Sequence, residues 1–505
     1  MWIVNQKRAG VILSYITIAA NMIIQFAYTP IMLRLLGQSE YGLYTLANSV
    51  ISYLSLFDMG FAGSYLRFYS GYRIKNDEEG IKKLNGTFLS LFLILSFLAL
   101  ACGLLLSSQI ETIFHRNLNS LELKRAKAIM IILSFSLAIS LMTNVFSSIM
   151  TAHECFFRLR LIRLFSTVFS PMIGIPLMLA GYGSISIAIV SLATSVWCFI
   201  DYGKYCIKNL EISIDFKFTS KSLIFDVGRF SFFIFLNEIV SQINWSVDKV
   251  LLGIYYGTVM TAIYGVGSQI DVVYRTLSSS VSAVFAPQVN TLVAEGDNEK
   301  KLTLLFCRIG RIQWILLAPI LMGFIGFGRF FVELWAGTEY SSSYYVALLL
   351  IVPVSIPLIQ NIGIEIQRAM NKHQFRSIIY SIMAIVNICI SIPLCKLYGA
   401  IGCAIGTSIS VLVGNGIIMN WFYMTKLRID IKKFWKEILS VSKGMIPAVI
   451  FASALVIIPI KWNIVNFALL AIAFIAIYII FIWKLGINEY EKSLFSHYSK
   501  KIMHR

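Results

Sequence analysis

Long apolar runs and short polar connectors alternate along almost the whole chain. An α-helix needs about 20 mainly apolar residues to cross about 30 Å of hydrocarbon, and the sequence supplies such runs repeatedly. Hydropathy therefore predicts an all-α, polytopic membrane protein with about fourteen transmembrane helices. The predicted spans lie near residues 10–35, 41–66, 87–106, 128–150, 164–181, 184–203, 229–253, 258–285, 312–335, 343–363, 376–396, 399–424, 445–461 and 463–484.

Composition agrees with lipid as the solvent for most of the chain. Hydrophobic residues make up 58% of the sequence and charged residues 13%, whereas a soluble domain carries about 25% charged residues. No connector is long enough to form a soluble domain with an active site of its own. The eight cysteines include no CxxC pair and the five histidines no HExxH motif. The sequence therefore predicts neither a metal centre nor another cofactor.

The net charge of +18 is explained by membrane topology, because Lys and Arg concentrate in cytoplasmic loops. An orientation with the N-terminus inside places most of the cations in cytoplasmic segments, and the even number of spans then predicts that both termini are cytoplasmic. The outside connector 107–127 is an exception, since it carries four cationic residues. Nucleic-acid binding is excluded, because the cations lie in short loops and not on a soluble basic patch. The main inside segments are 67–86, 156–163, 204–222 and 426–444.

An internal repeat is visible at an offset of about 216 residues. The segment Tyr182-Gly183-Ser184-Ile185 recurs as Tyr398-Gly399-Ala400-Ile401, and other short matches fall at equivalent places in the predicted topology. Six helices per half keep both halves in the same orientation, which predicts a parallel repeat. The predicted segments are an N-terminal six-helix bundle at 1–210, a C-terminal six-helix bundle at 211–425, and two extra helices with a basic tail at 426–505.

Two equivalent spans of this repeat, 10–35 and 229–253, carry polar residues at the three- or four-residue spacing that places them on one helix face. A charge near the bilayer centre costs at least about 2.5 kcal/mol, so these faces must contact other helices or water. Two interpretations are open, hydrogen bonding between helices and a water-filled cavity, and the many polar residues of span 229–253 favour the cavity. The residues are Ser14, Thr17, Asn21, Gln25 and Tyr28 in the first span, and Asn237, Glu238, Ser241, Gln242, Asn244, Asp248 and Lys249 in the second.

Charged residues also occur within or beside other predicted spans. Asp271 and Arg275 lie one helical turn apart in span 258–285. They form either an ion pair that neutralises itself or an anion site beside a protonatable carboxylate. Asp58 belongs to a weaker polar stripe in span 41–66. Arg34 lies near a helix end, where it either extends to the membrane surface or contacts a ligand.

The absence of a GxxxxGK[ST] motif, and of any domain that could hold ATP, excludes direct ATP drive within this chain. Carboxylates inside the membrane are then the available sites for H⁺ or Na⁺. Together with the repeat, they predict a secondary transporter that exposes a central site alternately to the two sides of the membrane. The candidate ion-coupling residues are Glu238, Asp271, Asp248 and Asp58.

Five segments, in order along most of the chain, resemble the polysaccharide and O-antigen flippase family of the multidrug/oligosaccharidyl-lipid/polysaccharide exporter superfamily. They are LGQSEYGLY (36–44), DMGFAGSYLRF (58–68), DKVLLGIYYGTVMTAIYGVGSQI (248–270), FVELWAGTEYSSSY (331–344) and YGAIGCAIGTSIS (398–410). The resemblance implies two six-helix bundles around a central cleft, with two further helices, in a bacterial cytoplasmic (inner) membrane.

The resemblance also implies the cargo, a polyprenyl-pyrophosphate-linked oligosaccharide that moves from the inner to the outer leaflet. It further implies surrounding membrane lipids and polysaccharide polymerase machinery as partners. A pyrophosphate needs cations, and sugars need amide and hydroxyl partners. The candidate substrate-binding residues are Arg275, Lys249, Asn21, Gln25, Asn237, Asn244 and Arg34.

Three alternatives differ in what they require of the sequence. A cation-coupled multidrug exporter of the same superfamily would share the fold, but its cavity would contain fewer cations. A membrane glycan polymerase or acyltransferase would be expected to carry a long outside loop or a clustered His and Asp pair, and neither is present. Lipid II is disfavoured as the cargo, because the related lipid II flippases carry arginines deep in their first helices and the core of span 10–35 has none.

Overall fold

The chain is built from α-helices and short turns in the computed structural model, which confirms the predicted all-α class. The structure describes residues 2–58, 60–212, 221–296, 299–372, 374–458, 460 and 462–493, and these ranges contain no β-strand. Within the helices, some side chains lie outside the described residues, including those of Ser14, Asn237, Ser241 and Asn244.

Packing divides the chain into two compact units, Met1–Gly265 and Val266–Arg505. The predicted boundaries near 210 and 425 follow the sequence repeat instead, and they stay a prediction. Helices of the first unit are α1 (Trp2–Ser52), α2 (Phe61–Ile74), α3 (Glu78–Ser108), α4 (Ile110–Phe114), α5 (Ser120–Ala152), α6 (Phe156–Leu177), α7 (Ile185–Asn209), α8 (Lys221–Tyr256) and the start of α9 (Thr258–Ala294). Helices of the second unit are the rest of α9, α10 (Glu299–Trp335), α11 (Ser343–Ile359), α12 (Ile362–Ala369), α13 (Gln374–Val411), α14 (Asn420–Thr425), α15 (Ile431–Ser442), α16 (Ile446–Ile457) and α17 (Ile464–Phe481).

Membrane-spanning character is clear in both units. Within the described residues, eight helices are long and apolar enough to cross a bilayer, or nine if the bent pair α11 and α12 forms one span. One of the eight, Gln374–Thr425, has 52 residues and would extend about 78 Å as a straight helix. Such a length suits two crossings, as the two predicted spans 376–396 and 399–424 require. The total of about fourteen spans stays a prediction.

Glycines break the longest helices where the sequence places connectors. Gly37 divides α1 with φ 72° and ψ 176°, a conformation that strongly favours glycine because it has no Cβ. Gly183 precedes α7 with φ 56° and ψ −139°, and Gly399 divides α13 with φ 57° and ψ −131°. Two glycines 216 residues apart therefore share one unusual backbone conformation. This match supports the repeat that was inferred from sequence.

Glu40 joins three helices of the first unit at their predicted outer end. Its carboxylate pairs with Arg125 of α5 and accepts a 2.9 Å hydrogen bond from the backbone N–H of Ser184, at the start of α7. Partial burial raises the pKa of the Glu40 carboxyl, but the hydrogen bonds from Ser184 and the ion pair with Arg125 outweigh this effect and lower it. Arg125 belongs to the cationic connector 107–127, so one of the four cations that contradicted the charge pattern has a structural role.

The inside segment 426–444, which was expected to be a loop, contains helix α15. Asp430 begins this helix by accepting a 2.9 Å hydrogen bond from the backbone N–H of Lys433. Its apolar residues at helical spacing, including Phe434 and Ile438, are buried in the second unit. Buried Arg311 of α10 holds the segment after α17 against the rest of the second unit. Its guanidinium donates two hydrogen bonds to the carboxylate of Glu491, at 2.7 and 2.9 Å.

Candidate functional site

A polar cavity of about 530 Å³ lies inside the first unit, between α1, α5, α6 and α7. Its volume is within the range of small-molecule sites, about 300–1,000 Å³. Most of its lining residues have polar side chains, although three of its four helices, α5, α6 and α7, are apolar enough to span a bilayer. The lining residues are Thr17, Asn21, Ser140, Thr143, Asn144, Ser147, Arg160, Arg163, Ser166, Thr167, Thr194, Ser195, Cys198 and Tyr202.

Helical spacing explains why one face of α5 is polar. Ser140, Thr143, Asn144 and Ser147 are three or four residues apart and therefore share a face. The Thr143 hydroxyl donates to the carbonyl of residue 139 at 2.8 Å, and that of Ser147 donates to the carbonyl of Asn144 at 3.0 Å. Because their protons are used within the helix, these hydroxyl oxygens offer lone pairs to the cavity. The α5 wall thus suits a ligand that donates hydrogen bonds, such as a sugar hydroxyl.

Asn21, a predicted substrate-binding residue, is part of this cavity. Its side-chain oxygen accepts a 2.9 Å hydrogen bond from the Thr167 hydroxyl of α6. An interhelical hydrogen bond in a membrane contributes on average about 0.6 kcal/mol, so this contact orients the amide more than it stabilises the unit. The Asn21 amide N–H₂ group is a donor that a ligand in the cavity can use.

Asp58, a predicted ion-coupling residue, is connected to the cavity through Asn144. The Asn144 side chain lines the cavity and donates a 3.1 Å hydrogen bond to the Asp58 carboxylate. Asn144 can therefore transmit a change in the charge of Asp58 to the cavity wall.

Two arginines line the cavity from the first turns of α6. Arg160 and Arg163 are three residues apart and share a face with Ser166 and Thr167. The Arg163 side chain also lies near the buried Tyr202 of α7. Arg158, in the same segment, instead pairs with Asp201 at 2.5 Å.

The predicted charges of α8 form a separate group in the first unit. Asp248 is 1% exposed and accepts a 2.5 Å hydrogen bond from the Tyr264 hydroxyl of α9. Lys249 beside it is half-buried. Gln242, earlier on α8, donates to the Ser52 hydroxyl of α1. None of these α8 side chains lines the cavity among α1, α5, α6 and α7.

Asp271 and Arg275 form an ion pair within α9, in the second unit, with 2.5 Å between the guanidinium nitrogen and the carboxylate oxygen. The Asp271 side chain is 1% exposed and that of Arg275 is 21% exposed. The predicted ion pair is therefore present. Because part of the Arg275 side chain is exposed, contact with cargo stays a prediction.

The remaining predicted residues are not brought to the cavity wall. Glu238 and Arg34 are exposed and Gln25 is half-buried, and none of the three lines the cavity. The side chains of Asn237 and Asn244 lie outside the described residues. Their roles stay predictions.

Sequence comparison identifies the family. Residues 31–345, more than half of the chain, match the family described as "Polysaccharide biosynthesis protein". The chain belongs to the polysaccharide biosynthesis protein family. A curated relative, "Probable flippase AglR" of Haloferax volcanii, is 25% identical to this family member over 176 residues, 34% of the chain. The match covers 36% of that protein, so the chain spans about a third of the length of its curated relative.

Solved structures share the fold of this family member over most of its length. The lipid II flippase MurJ in an inward closed conformation matches with a TM-score of 0.74 and 18% identity, over 93% of this chain and 98% of that one. A multidrug resistance MATE family transporter of the MOP superfamily, in an inward-facing conformation, matches with a TM-score of 0.65 and 13% identity, over 84% and 99%. An outward-facing MATE family structure matches with a TM-score of 0.55 and 17% identity, over 83% and 95%. These likenesses establish that the chain shares the fold of these solved structures.

Sequence reasoning missed most of the cavity wall. Arg160 and Arg163 were counted as cations of an inside loop, whereas they form the first turns of α6. The hydroxyl residues of spans 128–150 and 184–203 were not singled out, since isolated Ser and Thr are common within transmembrane helices. The available signal was their spacing of three or four residues, which repeats in both spans.

Proposed function

We propose that this protein is a flippase, a secondary transporter that moves a polyprenyl-pyrophosphate-linked oligosaccharide from the inner to the outer leaflet by alternating access. The observation that carries the proposal is the polar cavity inside the first unit, lined by hydroxyl, amide and guanidinium groups. A lipid-linked glycan has an apolar tail that can stay in lipid, but its head group must lose water during the crossing. Hydroxyl oxygens and amides replace that water for sugars.

Membership of the polysaccharide biosynthesis family supports the same proposal, as does the relative described as a flippase. An exporter of amphipathic cations is the alternative that shares this fold. Two arginines in the cavity wall disfavour it, because like charges within a partly buried site repel a cationic ligand.

We further propose that Asp58 carries the coupling cation, H⁺ or Na⁺. A carboxylate that is hydrogen-bonded to a residue of the cavity wall can change the geometry of that wall when it binds or releases the cation. Asp248 and Asp271 are each held by a near neighbour, Tyr264 and Arg275 respectively. Glu238 is exposed and remains the second candidate for coupling.

Complementation tests the proposed function in cells. A bacterial strain that lacks its own polysaccharide flippase retains lipid-linked oligosaccharide in the inner leaflet, and expression of this protein should restore glycan at the cell surface. The same cells should gain no resistance to amphipathic cationic drugs. Drug resistance without surface glycan, across several glycan types, would instead establish the multidrug exporter.

A further inference from the structure

The two cavity-lining arginines of α6 differ from their neighbour in how their charge is balanced. Arg158 is paired with Asp201. Among the described residues, neither Arg160 nor Arg163 forms an ion pair with a carboxylate, and Arg163 lies near the hydroxyl of Tyr202. Arg160 is half-buried, and the two guanidinium groups repel each other. Adjacent like charges beside a partly enclosed cavity are stabilised when an anion binds between them.

The groups around these arginines suit phosphate oxygens. A guanidinium binds two oxygens in a planar fork, which an ammonium group cannot do. Thr167 lies on the next turn of the same face of α6, where its hydroxyl donates to the side-chain oxygen of Asn21. The Asn21 amide N–H₂ group is then a further donor for a phosphate oxygen. The α5 wall offers mainly acceptors, which suit a sugar. The cavity therefore has a cationic side and a side that accepts hydrogen bonds.

We infer that Arg160 and Arg163 form a binding site for the diphosphate head group of the lipid-linked cargo at the predicted cytoplasmic end of the first unit. This inference rests on the proposed flippase function and assigns a site within it. The diphosphate lies against the two guanidinium groups, and the first sugar extends toward the hydroxyl-rich face of α5. The lipid tail stays outside the cavity, in the membrane.

A simpler role for the two arginines is to set topology, as cations at a cytoplasmic helix end do. Substitution by lysine separates the two roles. Lysine keeps the positive charge and therefore the topology, but it loses the two-pronged contact with phosphate. A topological role predicts that Arg160→Lys with Arg163→Lys behaves as wild type, whereas a diphosphate site predicts weaker binding.

Cys198 provides a reporter, because it lines the same cavity, and exposed Cys389 of α13 provides an internal control. The full chain in phosphatidylcholine nanodiscs is treated with N-ethylmaleimide, and the modification of each cysteine is followed by mass spectrometry. Farnesyl diphosphate should slow the modification of Cys198 and leave that of Cys389 unchanged. Farnesol, which lacks the diphosphate, should protect neither.

Three variants complete the test. Replacement of both arginines by glutamine should weaken protection about tenfold or more, since the diphosphate would lose its hydrogen bonds to two charged groups. Replacement by lysine should weaken it less, while the protein still inserts correctly. The matched control removes two cations from the exposed surface at the same end of α7, Lys204→Gln with Lys208→Gln, and should retain full protection.

Two results would overturn the inference. Equal protection by farnesyl diphosphate in wild type and in the double glutamine variant would show that the arginines do not bind the head group. Equal protection by inorganic diphosphate and farnesyl diphosphate, at the same concentrations, would show a site for a soluble anion instead. Both results leave the flippase function intact if complementation succeeds, whereas failed complementation contradicts the function itself.

Discussion

The ion pair of Asp271 and Arg275 gives the sharpest prediction for the second unit. The Asp271 side chain is 1% exposed, so Arg275→Ala would leave a buried carboxylate without its cationic partner. Removal of one member of a buried ion pair costs about 3–5 kcal/mol. Asp271→Ala should cost less, because the Arg275 side chain is 21% exposed and can be partly solvated. The double variant should recover most of the lost stability, because no buried charge remains.

A double-mutant cycle measures this coupling directly. Each variant is purified in detergent, and the fraction that remains monodisperse after heating gives its thermal stability. Arg275→Ala is expected to be the least stable of the three variants, and the double variant the closest to wild type. Equal stability of Arg275→Ala and wild type would refute the structural role of the pair.

Transport by the same variants separates the two roles of Arg275. If the residue only neutralises Asp271, the double variant should transport as well as wild type. If Arg275 also holds cargo, the double variant should be well folded but inactive, because the guanidinium is gone. Full recovery of transport would therefore contradict the predicted cargo role of Arg275.

Three further predictions concern the first unit. Folding lowers the pKa of Glu40, so its ionised form stabilises the folded state. That contribution is lost as the pH falls from about 4.3, the pKa of an unperturbed Glu, through the folded pKa. Glu40→Gln should therefore lose less thermal stability than wild type between pH 5 and pH 3. Gly42→Ala should destabilise the protein, since a Cβ would overlap a backbone carbonyl of another helix. The control Gly71→Ala has open space around it, so it should be as stable as wild type or more stable by up to about 1 kcal/mol. Asp58→Asn keeps an oxygen that accepts the hydrogen bond from Asn144, so this variant should fold normally. Its transport should no longer depend on an ion gradient. If that dependence is lost in Glu238→Gln and kept in Asp58→Asn, Glu238 is the coupling residue.

The sequence was sufficient for the membrane fold because repeated apolar runs of about 20 residues suit a bilayer and rarely suit a soluble fold. Two helix breaks were also predictable, since Gly37 lies between predicted spans 10–35 and 41–66 and Gly399 begins predicted span 399–424. Both glycines have positive φ in the structure. Helix α15 was missed because its three lysines were counted as cations of a cytoplasmic segment, although the spacing of Phe434 and Ile438 was an amphipathic signal. A count of charges alone assigned that segment to a loop.

The candidate site was harder to predict because it depends on which faces of different helices meet. Asn21 and Asp58 were recognised from polar stripes, and the structure connects both to the cavity. Arg160 and Arg163 lie in the predicted inside segment 156–163, so the charge pattern accounted for them without a site. Which cations are balanced by carboxylates, as Arg158 is by Asp201, depends on helix packing that a single sequence does not contain.

Flippase activity is tested most directly by the transfer of a lipid-linked oligosaccharide across a bilayer that contains only the purified protein. A polyprenyl-diphosphate oligosaccharide with a fluorescent sugar label is placed in both leaflets of proteoliposomes, and dithionite then bleaches the label on the outer leaflet. We expect that, under an ion gradient, the protein brings the inner-leaflet label to the outer surface, where it is bleached as well. A protected inner-leaflet fraction equal to that of protein-free liposomes, with folded protein present, would contradict the proposed function.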